Sequence, residues 1–121
     1  MRSLLRFSCL LLLLLFARNA SAQAHSVVLT WAAPSDAVAS STYNTYRAAG
    51  SCPSSGIGTL TWVKLNTSGI TALTYTDASV AVGQYCYYAT QVQNGVESNP
   101  SNTASALVRP NTVTITITLV M

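Results

Sequence analysis

An all-β fold, an antiparallel sandwich of short strands, is what this sequence predicts, and three observations predict it. Apolar residues beyond position 23 recur with a period of two, not 3.6. The runs are short and divided by clusters of Gly, Pro, Asn and Ser. No stretch joins an amphipathic helical pattern to helix caps. Short strands with turn signals between them bury their apolar sides by stacking two sheets.

Each element follows from its residues. Val27, Leu29 and Trp31 alternate with Val28 and Thr30 until Pro34 stops the run. Tyr43, Thr45 and Arg47 alternate with Asn44 and Tyr46, and a small polar loop follows from Ala49 to Gly58. Leu60 to Leu65 reads as a short strand holding Trp62 and Val63, and Asn66 to Ile70 as a turn. Leu73 to Thr76 is a further strand, ended by Asp77. Gly83 precedes the longest β stretch, Tyr85 to Gln93, and Asn94-Gly95 is a strong signal for a tight hairpin turn. Thr103 to Val108 is another strand, Pro110-Asn111 a turn, and Thr112 to Val120 a last strand of near-perfect alternation.

Residues 1–22 read as an export signal. Arg2 and Arg6 give a basic start, Cys9 to Ala17 an unbroken apolar run, and Ala20-Ser21-Ala22 the small residues that precede cleavage. The whole net charge of +3 lies there, in Arg2, Arg6 and Arg18. Beyond it Arg47, Lys64 and Arg109 balance Asp36, Asp77 and Glu97. The expected mature chain, from Gln23, is thus formally neutral and wetted by Ser and Thr. It has no basic footprint for nucleic acid and no apolar stretch long enough to span a membrane. The expected destination is the periplasm or the exterior of a bacterial cell.

Two cysteines remain beyond the leader, Cys52 and Cys86. Redox pairs are usually spaced Cys-x-x-Cys, and a metal site would find only His25 as a third ligand. In an oxidising compartment the expectation is a structural disulfide. Closing a loop of this length stabilises a fold by roughly 3–4 kcal/mol.

No catalysis is expected. His25 is the single histidine and sits near the expected terminus, where residues are loosely held. No nucleophile motif such as G-x-S-x-G is present. The acids available for a carboxylate pair, Asp36, Asp77 and Glu97, fall in or beside turns. Gly56-Ile57-Gly58 is too short for a phosphate loop. No cofactor or metal is expected. Among the aromatics, alternation sends Trp31, Tyr43, Tyr85 and Tyr87 inward and Tyr46, Trp62 and Tyr88 outward. Outward rings can pack across strands, with Tyr46 beside Tyr88, or form a platform for sugars or proteins. Cross-strand packing is the simpler reading.

An ordered set of pieces from His25 to about Val108 resembles a fibronectin type III domain of the sort found in secreted bacterial proteins, an immunoglobulin-like sandwich. The pieces are Val28-Leu29-Thr30-Trp31 with Pro34, Tyr43-Asn-Thr-Tyr-Arg47, and Tyr75-Thr-Asp77 with Val80 and Gly83. They continue with Tyr85-Cys-Tyr-Tyr-Ala-Thr-Gln-Val92, Asn94-Gly-Val-Glu-Ser98 and Pro100-Ser-Asn102. The resemblance implies a core Trp at Trp31 and, at Tyr85, a core Tyr whose hydroxyl caps a backbone corner. Gly83 stands one residue closer to Tyr85 than is usual, which keeps Cys86 as the rival inward residue. Tyr85 inward puts Cys86 on the outer sheet face, beside the loop that carries Cys52.

The domain is thus expected over 23–110, with an extra strand over 111–121. The usual first strand is missing, so the Trp31 strand is expected to be a bare sheet edge. The uncharged tail is expected to fold back on Thr103–Val108 through Arg109-Pro110-Asn111. It has two alternatives, another edge of the same molecule or the edge of another molecule. By resemblance the work is non-covalent: an exported binding or adhesion module contacting a protein or polysaccharide of the cell surface, with Tyr46, Trp62 and Tyr88 as the contact face. The alternatives are a subunit that self-assembles by strand pairing through the tail, and an accessory module of an exported carbohydrate-active enzyme.

Overall fold

A computed structural model describes residues 24–121; the export signal expected over residues 1–22 lies outside them. Among the described residues all regular structure is β, and no helix is long and apolar enough to cross a membrane. The strands are β1 (Ser26–Trp31), β2 (Thr42–Ala49), β3 (Val63–Lys64), β4 (Thr74–Asp77), β5 (Gly83–Gln93), β6 (Val96–Glu97), β7 (Ala104–Val108) and β8 (Thr114–Leu119). They form a sandwich-like pair of sheets. One has the order β4-β1-β8; the other runs β3-β2-β5-β6, with β7 also paired to β5.

Period-two alternation fills the space between the sheets. Val27, Leu29 and Trp31 of β1 and Ile117 and Leu119 of β8 meet Tyr43, Tyr87, Ala89, Ala106 and Val108 of the other sheet in one core. Trp31 and Tyr43 lie 5.4 Å apart across it, tilted by 58°. β5 departs from simple alternation: Cys86 to Gln91 are all buried. Its inner face meets the core, and its outer face is covered by the loop after β2. Asn94 and Gly95 both take positive φ, 51° and 75°, which makes the tight turn joining β5 to β6.

The disulfide joins Cys52 to Cys86. Register explains why it closes. Ala48 lies opposite Cys86 and Ala49 opposite Tyr85, so β2 ends where β5 begins. Cys52 follows within a few residues and bends the loop back over the outer face. The strand expected over Leu60–Leu65 is shorter, Val63–Lys64. Val63 and Lys64 pair with β2, and Leu65 N–H donates to the Thr45 carbonyl at 2.9 Å. Trp62 instead turns back into the loop, its Nε1 donating to the Ile57 carbonyl at 3.1 Å.

Two expectations about the ends of the chain are corrected. β1 is not a bare edge, and the tail does not fold back on β7. The segment Arg109–Val113 crosses to the opposite sheet, where β8 runs parallel to β1 from Ser26↔Thr114 to Trp31↔Leu119. This is the alternative in which the tail covers an edge of its own molecule. The physical reason is that β1 has the larger need. Its open backbone edge and the flank of Val27, Leu29 and Trp31 are satisfied together by Ile115, Ile117 and Leu119. Parallel neighbours cannot be joined by a hairpin, and here the rest of the domain serves as the connection. His25 is likewise not loose. It is buried, its Nδ1 donates to the Thr112 carbonyl, and its own carbonyl accepts from Val80 N–H at 2.9 Å.

The tail is therefore part of the core, and its two ends of exposure should respond differently. Leu119 is 1% exposed and Val120 66%. Leu119→Ala is expected to cost about 2–4 kcal/mol in urea unfolding, and Val120→Ala no more than about 0.5 kcal/mol. Equal effects would show that β8 does not pack as described.

Candidate functional site

The outer face of the five-stranded sheet gathers the side chains that carry chemistry. Asn44 and Tyr46 project from β2, and Tyr88 and Thr90 from β5; the pairs Asn44↔Thr90 and Tyr46↔Tyr88 are direct cross-strand neighbours. Antiparallel β pairing brings such residues together on one face. The Tyr46 and Tyr88 rings stack with centroids 4.6 Å apart and planes 17° apart. Trp62 meets Tyr88 edge-on, also at 4.6 Å, with planes 70° apart. Offset and edge-to-face contacts of this kind add to simple burial. The expected contact face is therefore brought together, and cross-strand packing of Tyr46 with Tyr88 is part of how. The three rings are not equally open: Tyr88 is 7% exposed, while Tyr46 and Trp62 are half-buried.

Glu97 ties this face together. The Asn94-Gly95 turn sets Glu97 opposite Val92, on the same outward side as Thr90. The hydroxyls of Tyr46 and Thr90 both donate to its Oε1 at 2.5 Å, and Asn44 Nδ2 at 3.4 Å. Those donors favour the charged form. The hydrogen bonds from Thr90 and Tyr46 hold the Glu97 carboxyl below the usual range, with Asn44 and the charge of Lys64 adding to them against some burial. The same contact acts oppositely on its partner. Burial, then the bond to Glu97, pushes the Tyr46 hydroxyl up to about 12. Beneath the cluster Asn66 is buried. Its Oδ1 accepts from Thr45 N–H at 2.8 Å, and its Nδ2 donates to Asn44 Oδ1 at 2.9 Å. Asn66 thereby orients Asn44.

The other acids have different roles. Asp77, expected to close a turn, is the last residue of β4 and is buried. Its Oδ2 accepts from Arg47 Nη1 and from the Tyr87 hydroxyl, each at 2.8 Å, so one carboxylate joins the two sheets. Burial and the bond to Asp77 push the Tyr87 hydroxyl strongly upward. The bond and charge of Asp77 raise Arg47 despite its own burial. Arg47 also lies over the Tyr85 ring at 5.4 Å. Asp36 and Glu97 line one cleft of about 280 Å³ together with Gln91, Gln93, Asn94, Val96 and Ser98. General acids are usually tuned upward; Glu97 is tuned down. Among the described residues no group of three or more His, Cys, Asp or Glu is placed to hold a metal ion.

The core residues expected from sequence lie as follows. Trp31 and Tyr43 are buried. Tyr85 points inward but is only partly buried at the rim, its hydroxyl donating to the Ala81 carbonyl at 3.0 Å. The fully buried tyrosine is Tyr87. Sequence reading missed Asn44, Asn66, Thr90 and Glu97 as a connected set. Alternation does place Asn44 and Thr90 outward beside the aromatics, and the Asn-Gly turn places Glu97 there too. No family model matches this chain, and no curated protein matches it.

Glu97 gives the face a pH signature. A carboxyl whose folded value is lowered stabilises the fold above its unfolded value, near 4.5. That contribution is lost as pH falls through the lower folded value. Thermal unfolding between pH 7 and pH 3 should therefore destabilise the natural chain more than Glu97→Gln. An identical acid response in the two would remove Glu97 from this role.

Proposed function

We propose that this chain is an exported, non-catalytic binding module of fibronectin type III type, and that the outer face of its five-stranded sheet takes a polysaccharide of the cell surface. The observation that carries the reading is the pairing of half-open aromatic rings, Tyr46 and Trp62, with a fixed carboxylate, Glu97. Flat rings offer apolar contact at little entropic cost. A carboxylate beside them accepts hydrogen bonds from hydroxyls, and Oε1 is already held by protein donors. Few charges stand elsewhere on the chain, so contact rests on shape, rings and hydrogen bonds rather than long-range steering. The family assignment is supported by buried Trp31 and by the Tyr85 hydroxyl at the Ala81 carbonyl. Export is supported by the disulfide, a bond of oxidising compartments.

The test is co-sedimentation of residues 23–121 with insoluble cell-envelope polysaccharide freed of protein. Trp62→Ala is expected to weaken binding about tenfold or more, the scale of an aromatic anchor. Glu97→Gln, which keeps the packing, is expected to weaken it less. Val120→Ala, exposed past the end of β8 in the other sheet, should leave it unchanged. Binding that survives both Trp62→Ala and Glu97→Gln, or that needs envelope protein, would sink the proposal.

A further inference from the structure

The three-stranded sheet has two edge strands, β4 and β8, and the β8 edge differs from every other edge among the described residues. Sheet edges normally carry charge, proline or very short strands, which discourage pairing with another chain. β3 and β6 are two residues long and carry Lys64 and Glu97. β4 has four residues and ends at Asp77. β7 runs directly into Arg109 and Pro110. β8 is six residues, Thr-Ile-Thr-Ile-Thr-Leu, and from Thr112 to Met121 there is no charge and no proline. Among the described residues no strand lies beyond it in the sheet; past its end Val120 is held on that side by Asn102, which accepts from its N–H and donates to its carbonyl, and Thr114–Thr118 are left open.

Its open groups can be assigned. The Val113 carbonyl accepts from Ser26 N–H at 3.0 Å. Successive residues of a strand direct their backbone groups to opposite sides. Ile115, Ile117 and Leu119 therefore bond to β1, and Thr114, Thr116 and Thr118 present their N–H and C=O groups outward along the edge.

We infer that this edge pairs antiparallel with the same edge of a second copy, about a two-fold axis through Thr116. The register follows from the outward groups. Thr116 opposite Thr116, with Thr114 opposite Thr118 on each side, makes every outward group a partner. Each of these pairs exchanges two hydrogen bonds. The same register keeps threonines beside threonines on the wet face and Ile115 beside Ile117 on the apolar face. Ile115 is only half-buried in the single chain, and a neighbouring strand covers it. The occupant is a second copy because the edge is complementary to itself: it alternates symmetrically and has no charge to repel its image. Closed two-fold pairing of one patch with itself is the commonest route to a dimer. The inference rests on β8 alone and is independent of any polysaccharide bound by the other sheet.

Sedimentation velocity of residues 23–121 over about 5 μM to 1 mM tests it, on a scale suited to a small, weak interface. The expected result is a reversible monomer–dimer equilibrium. Thr116→Lys and Thr116→Glu are exposed changes that set like charges against each other at the axis. Each alone should weaken dimerisation about tenfold or more, and an equimolar mixture of the two should restore it. Thr116→Pro removes only an outward N–H, tolerated on an edge, and should also give monomer. It serves if a charged variant fails to fold. Hydrogen exchange should slow at Thr114, Thr116 and Thr118 as concentration rises. A chain that stays monomeric to about 1 mM overturns the inference. So does a dimer indifferent to both Thr116→Lys and Thr116→Pro.

Discussion

The parallel pairing of β8 with β1 is the constraint on which the rest of this structure depends. β1 carries Val27, Leu29 and Trp31 into the core, and β4 can pair with only one of its two edges. A strand left open on its other side would expose backbone groups that need partners and the flank of its apolar side chains. The tail answers both needs from the far end of the chain. Its placement then fixes other features. Arg109–Val113 must cross between the sheets, which brings the Thr112 carbonyl to His25 and ties the start of the described chain. Threonines of β8 fall beside Ser26 and Thr30 of β1, with Thr30 Oγ1 donating to the Ile117 carbonyl at 3.3 Å.

A second fastening acts at right angles to the first. The Asp77 carboxylate reaches from β4 to Arg47 and Tyr87 on β2 and β5, and so connects the sheets rather than neighbouring strands. Removing one partner of a buried pair strands the other without compensation, so this junction acts as a unit. It absorbs the single acid of the three-stranded sheet into structure. Glu97 differs. It is exposed, fixed by donors from β2 and β5, and stands beside aromatic rings that the disulfide-tethered loop only partly covers. The loop after β2 carries both Cys52, bonded to Cys86, and Trp62, which meets Tyr88 edge-on, so the covalent tether and the aromatic part of the candidate site belong to one segment.

How far these features could be read from sequence depends on how local their causes are. Alternation at Val27–Trp31, Tyr43–Arg47 and Tyr85–Gln93 is a local signal, and those strands lie where it puts them. The Asn94-Gly95 turn is local too, because backbone conformation at two residues sets it. The two cysteines pair as compartment reasoning expects. The destination of the tail is not local: Thr112–Val120 reads as a strand with one apolar face, but that pattern fits either sheet equally. The choice was made by the unmet edge of β1, 88 residues away in the chain. Asp77 was misread for a related reason. It was read as closing a turn, and only the register of two sheets shows Arg47 and Tyr87 converging on it. The polar network of Asn44, Asn66, Thr90 and Glu97 lay between these cases. Its members share a face by alternation, but their convergence on one carboxylate oxygen is a matter of side-chain reach.

The two surfaces singled out belong to different sheets, and that separation has a geometric consequence. Antiparallel pairing of two β8 edges within one continuous sheet places the two-fold axis perpendicular to that sheet. Both copies then have their five-stranded sheets on the same side of it. Their outer faces, with Tyr46, Trp62 and Glu97, point the same way instead of back to back. A repeating polymer presents many equivalent sites, and if the proposed polysaccharide contact holds, two faces directed toward it would engage as a linked pair. The second contact forms at an effective concentration set by the rigid spacing of the dimer, so overall attachment exceeds either contact alone. If both proposals hold, pairing at the β8 edge and contact through the half-open rings would reinforce one another without either needing to be strong. On these two proposals the β8 edge, without charged side chain or proline, has a use that the shorter or charged edges of the domain do not share.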